Sequence, residues 1–242
     1  MRSVFFSLIF VLLCRQSAPA LEGYYLEEMT EMPAVFGMGG GKAVTKTWIT
    51  SRNLRRDDGN NKQTTIIQSD PDRIIIMDHS DTTYTELTSE TFQGLAIMGL
   101  MMFGIQYHPE TGKPQIPDPL FKKTGKRQKI GQWMCDERIL KAIDGQAGNT
   151  VQRFSMWVGA DMDITGGLYS RIIRKLMGDP GQDYQSFFSQ LEQLQGYPVY
   201  ISTIIMGRTV SQMLIRYEYR NIPDSNFTIP PSYRKKELNF SD

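Results

Sequence analysis

From Gly23 to Leu87 the chain is a succession of short runs rich in β-branched and aromatic residues, each cut by a turn signal after about ten residues or fewer. Residues 23–32 (GYYLEEMTEM) stop at Pro33, and 33–41 (PAVFGMGGG) form a glycine-rich connection. Lys42 to Thr50 follows as a strand carrying Trp48. Asn53 to Asp57 and Gln63 to Gln68 flank Asp58-Gly59-Asn60-Asn61, residue types that tolerate the positive φ of a tight turn. Asp72 to Asp78 and Thr82 to Leu87 come next, joined by His79-Ser80-Asp81. Strands joined by turns this short pair with their neighbours in antiparallel fashion, so the spacing predicts a meander.

Ser89 and Glu90 read as the N-cap and first turn of a helix. Its body, Phe92 to Ile105, is apolar nearly all round, so it must be buried or must cover an apolar surface. Gly94, Gly99 and Gly104 lower its propensity but allow close packing. Residues 106–121 hold Pro109, Pro114, Pro117 and Pro119 and read as a long surface loop. Strands resume at Lys126 to Ile130, Trp133 to Ile143 and Val151 to Val158. In the last of these Phe154, Met156 and Val158 share one face and Trp157 takes the other. Leu168 to Met177 and Tyr184 to Leu194 have the spacing of amphipathic helices. Tyr197 to Met206 and Thr209 to Arg220 form a hairpin around Gly207-Arg208, with Met213, Ile215, Tyr217 and Tyr219 on one face of the second arm. Residues 221–233 close the fold as an extended segment with prolines.

The first 20 residues have a different character. Arg2 precedes an apolar stretch from Val4 to Leu13, and Ala18-Pro19-Ala20 places small residues at the −3 and −1 positions of a cleavage site. This is the layout of a secretory signal peptide, with residues 21–242 as one exported domain, periplasmic or extracellular in a bacterium. A lipoprotein acylated on Cys14 would want a small residue before it, where Leu13 stands. With Cys14 removed, Cys135 is alone, no internal disulfide forms, and the core must carry the stability. The remaining 222 residues hold 25 Lys and Arg against 26 Asp and Glu, which argues against a nucleic-acid partner. No apolar run among them is long enough for a transmembrane helix.

The C-terminal part is similar to a bacterial exported family known only as a domain of unknown function. The residues that carry this are Gly196-Tyr197-Pro198-Val199, then Ile222-Pro223-Asp224-Ser225-Asn226-Phe227, Ile229-Pro230 and Tyr233. Thr83-Tyr84-Thr85-Glu86-Leu87, Ile130-Gly131…Cys135 and Trp157 match in order. The resemblance implies a LolA-like fold of the α+β class, mostly β: a curved antiparallel sheet, or half-open barrel, with helices covering its concave face. Loop 106–121 and helices 165–195 would be insertions. Relatives of that fold carry lipids or lipoprotein acyl chains.

No catalytic set can be assembled. His79 lies in a turn and His108 beside Pro109, no Gly-x-Ser-x-Gly occurs, and no cofactor motif is present. Gly39-Gly40-Gly41-Lys42 is followed by Ala43 and lacks the phosphate-loop form. The expectation is a non-enzymatic protein that binds a lipid or acyl chain, lined by Trp48, Ile76, Phe92, Met98, Met101, Met102, Phe154, Met156, Ile215 and Tyr217. Two alternatives stand beside it: an envelope module that binds a partner protein, and a copper site at Met29, Met32 and Met38, since thioethers bind Cu(I).

Overall fold

A computed structural model describes residues 20–33, 40–60, 62–88, 91, 106–116, 118–140, 154–164, 167–168, 170, 174, 182–205 and 208–237. The first half of the sheet is β1 (Ala20–Met32), β2 (Gly41–Thr50), β3 (Asn53–Asp57), β4 (Gln63–Ser69), β5 (Asp72–Asp78) and β6 (Thr83–Leu87). A two-stranded ribbon, β7 (Gln106–Tyr107) with β8 (Pro114–Gln115), stands apart from it. The second half is β9 (Phe121–Ile130), β10 (Trp133–Leu140), β11 (Ser155–Gly159), β12 (Tyr197–Ile205) and β13 (Arg208–Pro223). A helix, α1 (Gln182–Glu192), precedes β12, and a short strand, β14 (Arg234–Lys235), follows β13.

Among the described residues twelve strands form one open sheet in the order β14-β6-β5-β4-β3-β2-β1-β13-β12-β11-β10-β9. Each half is a meander, as the turn spacing requires, and β1 joins the halves by pairing with both β2 and β13. Every pair in this sheet is antiparallel except β14 with β6.

One apolar cluster draws on almost the whole width of the sheet. Leu26, Ile49, Leu54, Ile67 and Ile74 enter it from β1 to β5, and Cys135, Val199 and Leu214 from β10, β12 and β13. Leu87 of β6 and Ile130 of β9, near opposite ends of the strand order, both pack against it. A sheet this wide gathers its two ends on one core by curving around it, so this face is concave. Met162, Ile164 and Leu168, from the segment after β11, fill its centre.

The other face has its own cover. Ile66, Ile75 and Met77, neighbours of Ile67, Ile74 and Ile76 along the strands, point away from the main cluster. The apolar runs Ile66-Ile67 and Ile74-Ile75-Ile76 are the sequence mark of strands buried on both sides. Phe227 packs into this second cluster, with Ile229 and Tyr233 against it, so residues 224–235 lie across the sheet as a strap. Backbone bonds from Arg234 N–H to Thr82 O (3.1 Å) and Lys236 N–H to Tyr84 O (2.8 Å) tie its end to β6.

Two expectations are corrected. Residues 106–121 are not wholly a surface loop: they contain the β7–β8 ribbon, and Leu120 is buried against Ile116, Phe121 and Tyr184. The prolines do not forbid this, because Pro114 closes a two-residue pairing with Tyr107. In β13 the clean alternation breaks at a bulge opposite Glu27 and Glu28, which turns Leu214 inward and leaves Ile215 41% exposed. The apolar helix expected at 92–105 lies outside the described residues.

The strap end is expected to respond to pH. Glu86 accepts from Lys235 Nζ at 2.9 Å and from Arg73, and these bonds hold its carboxyl below the ordinary carboxylate value. A lowered carboxyl pKa contributes stability that is complete above the unfolded value, about 4.3, and is lost as pH falls through the lower folded value. The same pair raises the Lys235 pKa, so its contribution is lost on the alkaline side only beyond about pH 10.4. The stability difference between the protein and a chain truncated after Tyr233 should therefore be flat near neutrality and shrink below about pH 4. Glu86→Gln should remove the acid dependence of that difference in urea titrations; an unchanged dependence would refute the assignment.

Candidate apolar ligand face

The register of β1 with its neighbours sets what the concave face displays. Tyr24, Leu26 and Glu28 alternate onto it, while Tyr25, Glu27 and Met29 take the other side. One cross-strand row runs Tyr217–Leu26–Thr47, and the next runs Tyr219–Tyr24–Ile49–Leu54–Ile67–Ile74–Leu87. The rim is aromatic: Tyr24 stacks on Tyr217 with centroids 5.7 Å apart, and Trp133 and Trp157 are partly buried against the same cluster.

Buried polar groups interrupt this surface: the side chains of Glu28, Thr45 and Thr47 and the hydroxyl of Tyr217. The Glu28 side chain is 3% exposed; it accepts from the Tyr197 hydroxyl at 2.8 Å and pairs with Arg56 at 3.3 Å. Those two partners satisfy the carboxylate, as a buried charge requires. Thr47 Oγ1 and the Tyr217 hydroxyl are different. Both are buried and both flank Leu26 in one row; Thr47 Oγ1 has no hydrogen-bond partner among the described residues, and the Tyr217 hydroxyl has only the backbone of Asp163 and Ile164 beside it. Burial raises the Tyr217 phenol above its ordinary pKa, so it is a neutral donor at physiological pH. A buried polar atom left unpaired costs about 1–3 kcal/mol, so Thr47 Oγ1 in this row calls for an explanation.

The expected lining residues do not converge. Tyr217 is on the concave face, and Ile76 shares the parity of Ile74. Trp48 lies on the opposite face, against the strap cluster, with Arg55 stacked 5.3 Å above its ring. Phe154 and Met156 belong to a further cluster with Val158, Leu194, Phe121 and Ile201. Trp157, next in the strand, points the other way into the main core. Ile215 faces solvent. Phe92, Met98, Met101 and Met102 lie outside the described residues, as does Met38. Met29 and Met32 are three apart on one strand, so their thioethers project to opposite faces. Among the described residues no group of three or more His, Cys, Asp or Glu side chains gathers.

Glu28, Thr47, Trp133 and Trp157 were missed as concave-face residues. The signal for Glu28 was present, since it has the parity of Tyr24 and Leu26, but parity does not say which side of a strand is the core until the strand is paired. α1 was legible as a helix. It packs through Tyr184 and Phe187 on Leu120, and its Glu192 meets Ser170 and Arg174.

No family model matches the chain, and no curated protein is similar to it in sequence. Similarity appears among solved structures. The chain is similar to LolA superfamily proteins. One, from Nitrosomonas europaea, has a TM-score of 0.34 at 9% identity over 88% of this chain and 92% of that one. Lipoprotein LppX of Mycobacterium tuberculosis gives 0.36 at 8% identity, over 82% and 86%. PNGF-II gives 0.41 at 9% identity over 90% of this chain but 31% of its own, so the chain spans about a third of that protein's length.

Proposed function

We propose that this is a non-enzymatic exported protein that holds a lipid or acyl chain on the concave face of its sheet. The observation that carries the reading is the row Tyr217–Leu26–Thr47, where two buried hydroxyls, that of Thr47 without a partner among the described residues, stand beside an apolar and aromatic surface. A ligand with a hydrocarbon body and a polar end satisfies both halves of that surface. Its chain lies along the aromatic rim, gaining about 0.8 kcal/mol per buried CH₂, and its polar end meets the hydroxyls.

The chain has three tryptophans, and their placement gives a test of the face. Trp133 and Trp157 border the concave cluster, while Trp48 lies on the other side. Titration with a fatty acid should shift the emission of the protein and of Trp48→Phe alike. The shift should vanish in Trp133→Phe/Trp157→Phe. Native mass spectrometry of protein purified without detergent should show a co-purifying lipid mass. A bare mass with no uptake of added fatty acid or phospholipid would sink the proposal and favour an envelope module that binds a protein partner.

A further inference from the structure

The free edge of the sheet carries a charge pattern that the concave face does not explain. β9 is the terminal strand of the order, and among the described residues nothing pairs with its outer side. Together β9 and β10, residues 121–140, hold six cations against two acids. The other 222 residues hold 21 against 24, so the positive surplus of the chain is concentrated on this one hairpin. Lys126 and Arg127 meet Glu137 and Asp136 at 3.3 and 3.7 Å, but Lys122, Lys123 and Lys129 have no carboxylate partner among the described residues.

Lysines on a free edge can serve simply to block strand addition. Three features go beyond that. Met134 is 42% and Ile139 36% exposed, and each lies directly opposite a lysine, Met134 with Lys129 and Ile139 with Lys122. The two apolar residues differ in parity, so a lysine and an apolar side chain stand together on both faces of the hairpin. Between them Lys123 opposes Arg138, a like-charge pair that is unfavourable alone, and Arg138 Nε is buried with no hydrogen-bond partner among the described residues, Asp136 acting on the guanidinium only through its charge. An anion between Lys123 and Arg138 would relieve both.

We infer that the β9–β10 hairpin docks edge-on at the surface of an anionic phospholipid membrane, with Met134 and Ile139 entering the interface and the lysines meeting lipid phosphates. An edge that dips into the headgroup layer wets both faces of the hairpin at once. An acidic polypeptide added as a further strand would lie outside β9 and would not reach side chains on both faces of β10, so a membrane fits the pattern better. Docking stands whether or not the concave face takes a lipid.

The test is co-sedimentation of the protein with phosphatidylcholine vesicles, with and without about one-third phosphatidylglycerol. Binding is expected only to the anionic vesicles and should fall at least ~10-fold in 0.5 M salt. Lys122→Glu/Lys123→Glu/Lys129→Glu should abolish it. Met134→Ser/Ile139→Ser, at exposed positions, should weaken it several-fold with the melting temperature unchanged. Equal binding to neutral vesicles, full binding by the charge-reversed protein, or capture of poly-glutamate in place of vesicles would each overturn the inference. Fatty-acid titration of the same variants should match the parent protein, which separates failure of docking from failure of the proposed ligand site.

Discussion

Gly196→Ala should destabilise the protein by more than about 3 kcal/mol, or prevent folding at 37 °C, for reasons confined to the backbone. Gly196 has φ near +83°, a region costly for any residue with a Cβ. Its space is closed as well. A methyl there would lie 2.1 Å from Gly159 O and 2.9 Å from Ala160 Cα, both backbone atoms that no rotamer change can move. Relief requires β12 to shift from the end of β11. Tyr197, the next residue, donates to Glu28, and the chain after Gly159 delivers Met162 and Ile164 to the concave core. One misfit would therefore disturb the buried carboxylate and the concave core together. Gly112→Ala is the control: it has a similar positive φ of 65° but nothing within 4 Å, so it should cost only the backbone strain, about 1 kcal/mol. Equal losses for the two in urea denaturation would mean that the close approach to β11 contributes nothing.

The contrast between those glycines shows what the sequence could and could not disclose. Turn residues such as Asp58-Gly59 and the β-branched runs around them mark local structure, and the meander from β2 to β6 follows from them almost residue for residue. The concave face follows less directly. Trp48 was an attractive lining residue because it is large and strand-borne, yet its side is decided by pairing with Tyr25 and Arg55, which places it under the strap. Ile215 was lost to a bulge, which inserts one residue and reverses parity without any local sign in the composition. Phe154, Met156 and Val158 opposite Trp157 could be read correctly, because period-2 alternation needs no partner strand. Contacts between residues far apart in sequence, such as Glu28 with Tyr197, have no local signature at all.

The strap gives the second large effect. Phe227→Ala should cost about 3–5 kcal/mol, the usual range for emptying a well-packed aromatic site. Phe227 is 2% exposed and sits among Ile66, Ile75, Met77 and Ile222, which come from three separate strands. The cavity cannot close by moving one element. The strap is also held at its backbone: Arg55 Nη1 donates to Asn226 O at 3.0 Å and Gln68 Nε2 to Phe227 O at 3.1 Å. His79 bridges Thr64 and the Tyr233 hydroxyl further along. Those bonds fix the height of the segment above the sheet, so it cannot sink to fill the space that the ring leaves. Thr228→Ser, at an exposed neighbour whose hydroxyl donates to Ser225 O at 2.9 Å, keeps that bond and should change stability by no more than about 0.5 kcal/mol. If the strap unfolds separately from the sheet, Phe227→Ala will instead release Trp48 to solvent while Trp133 and Trp157 keep their native emission. A single transition shared by all three tryptophans, shifted to lower urea, is the expected result. It would show that the sheet's two faces, joined through adjacent pairs such as Ile66 and Ile67, fold as one unit.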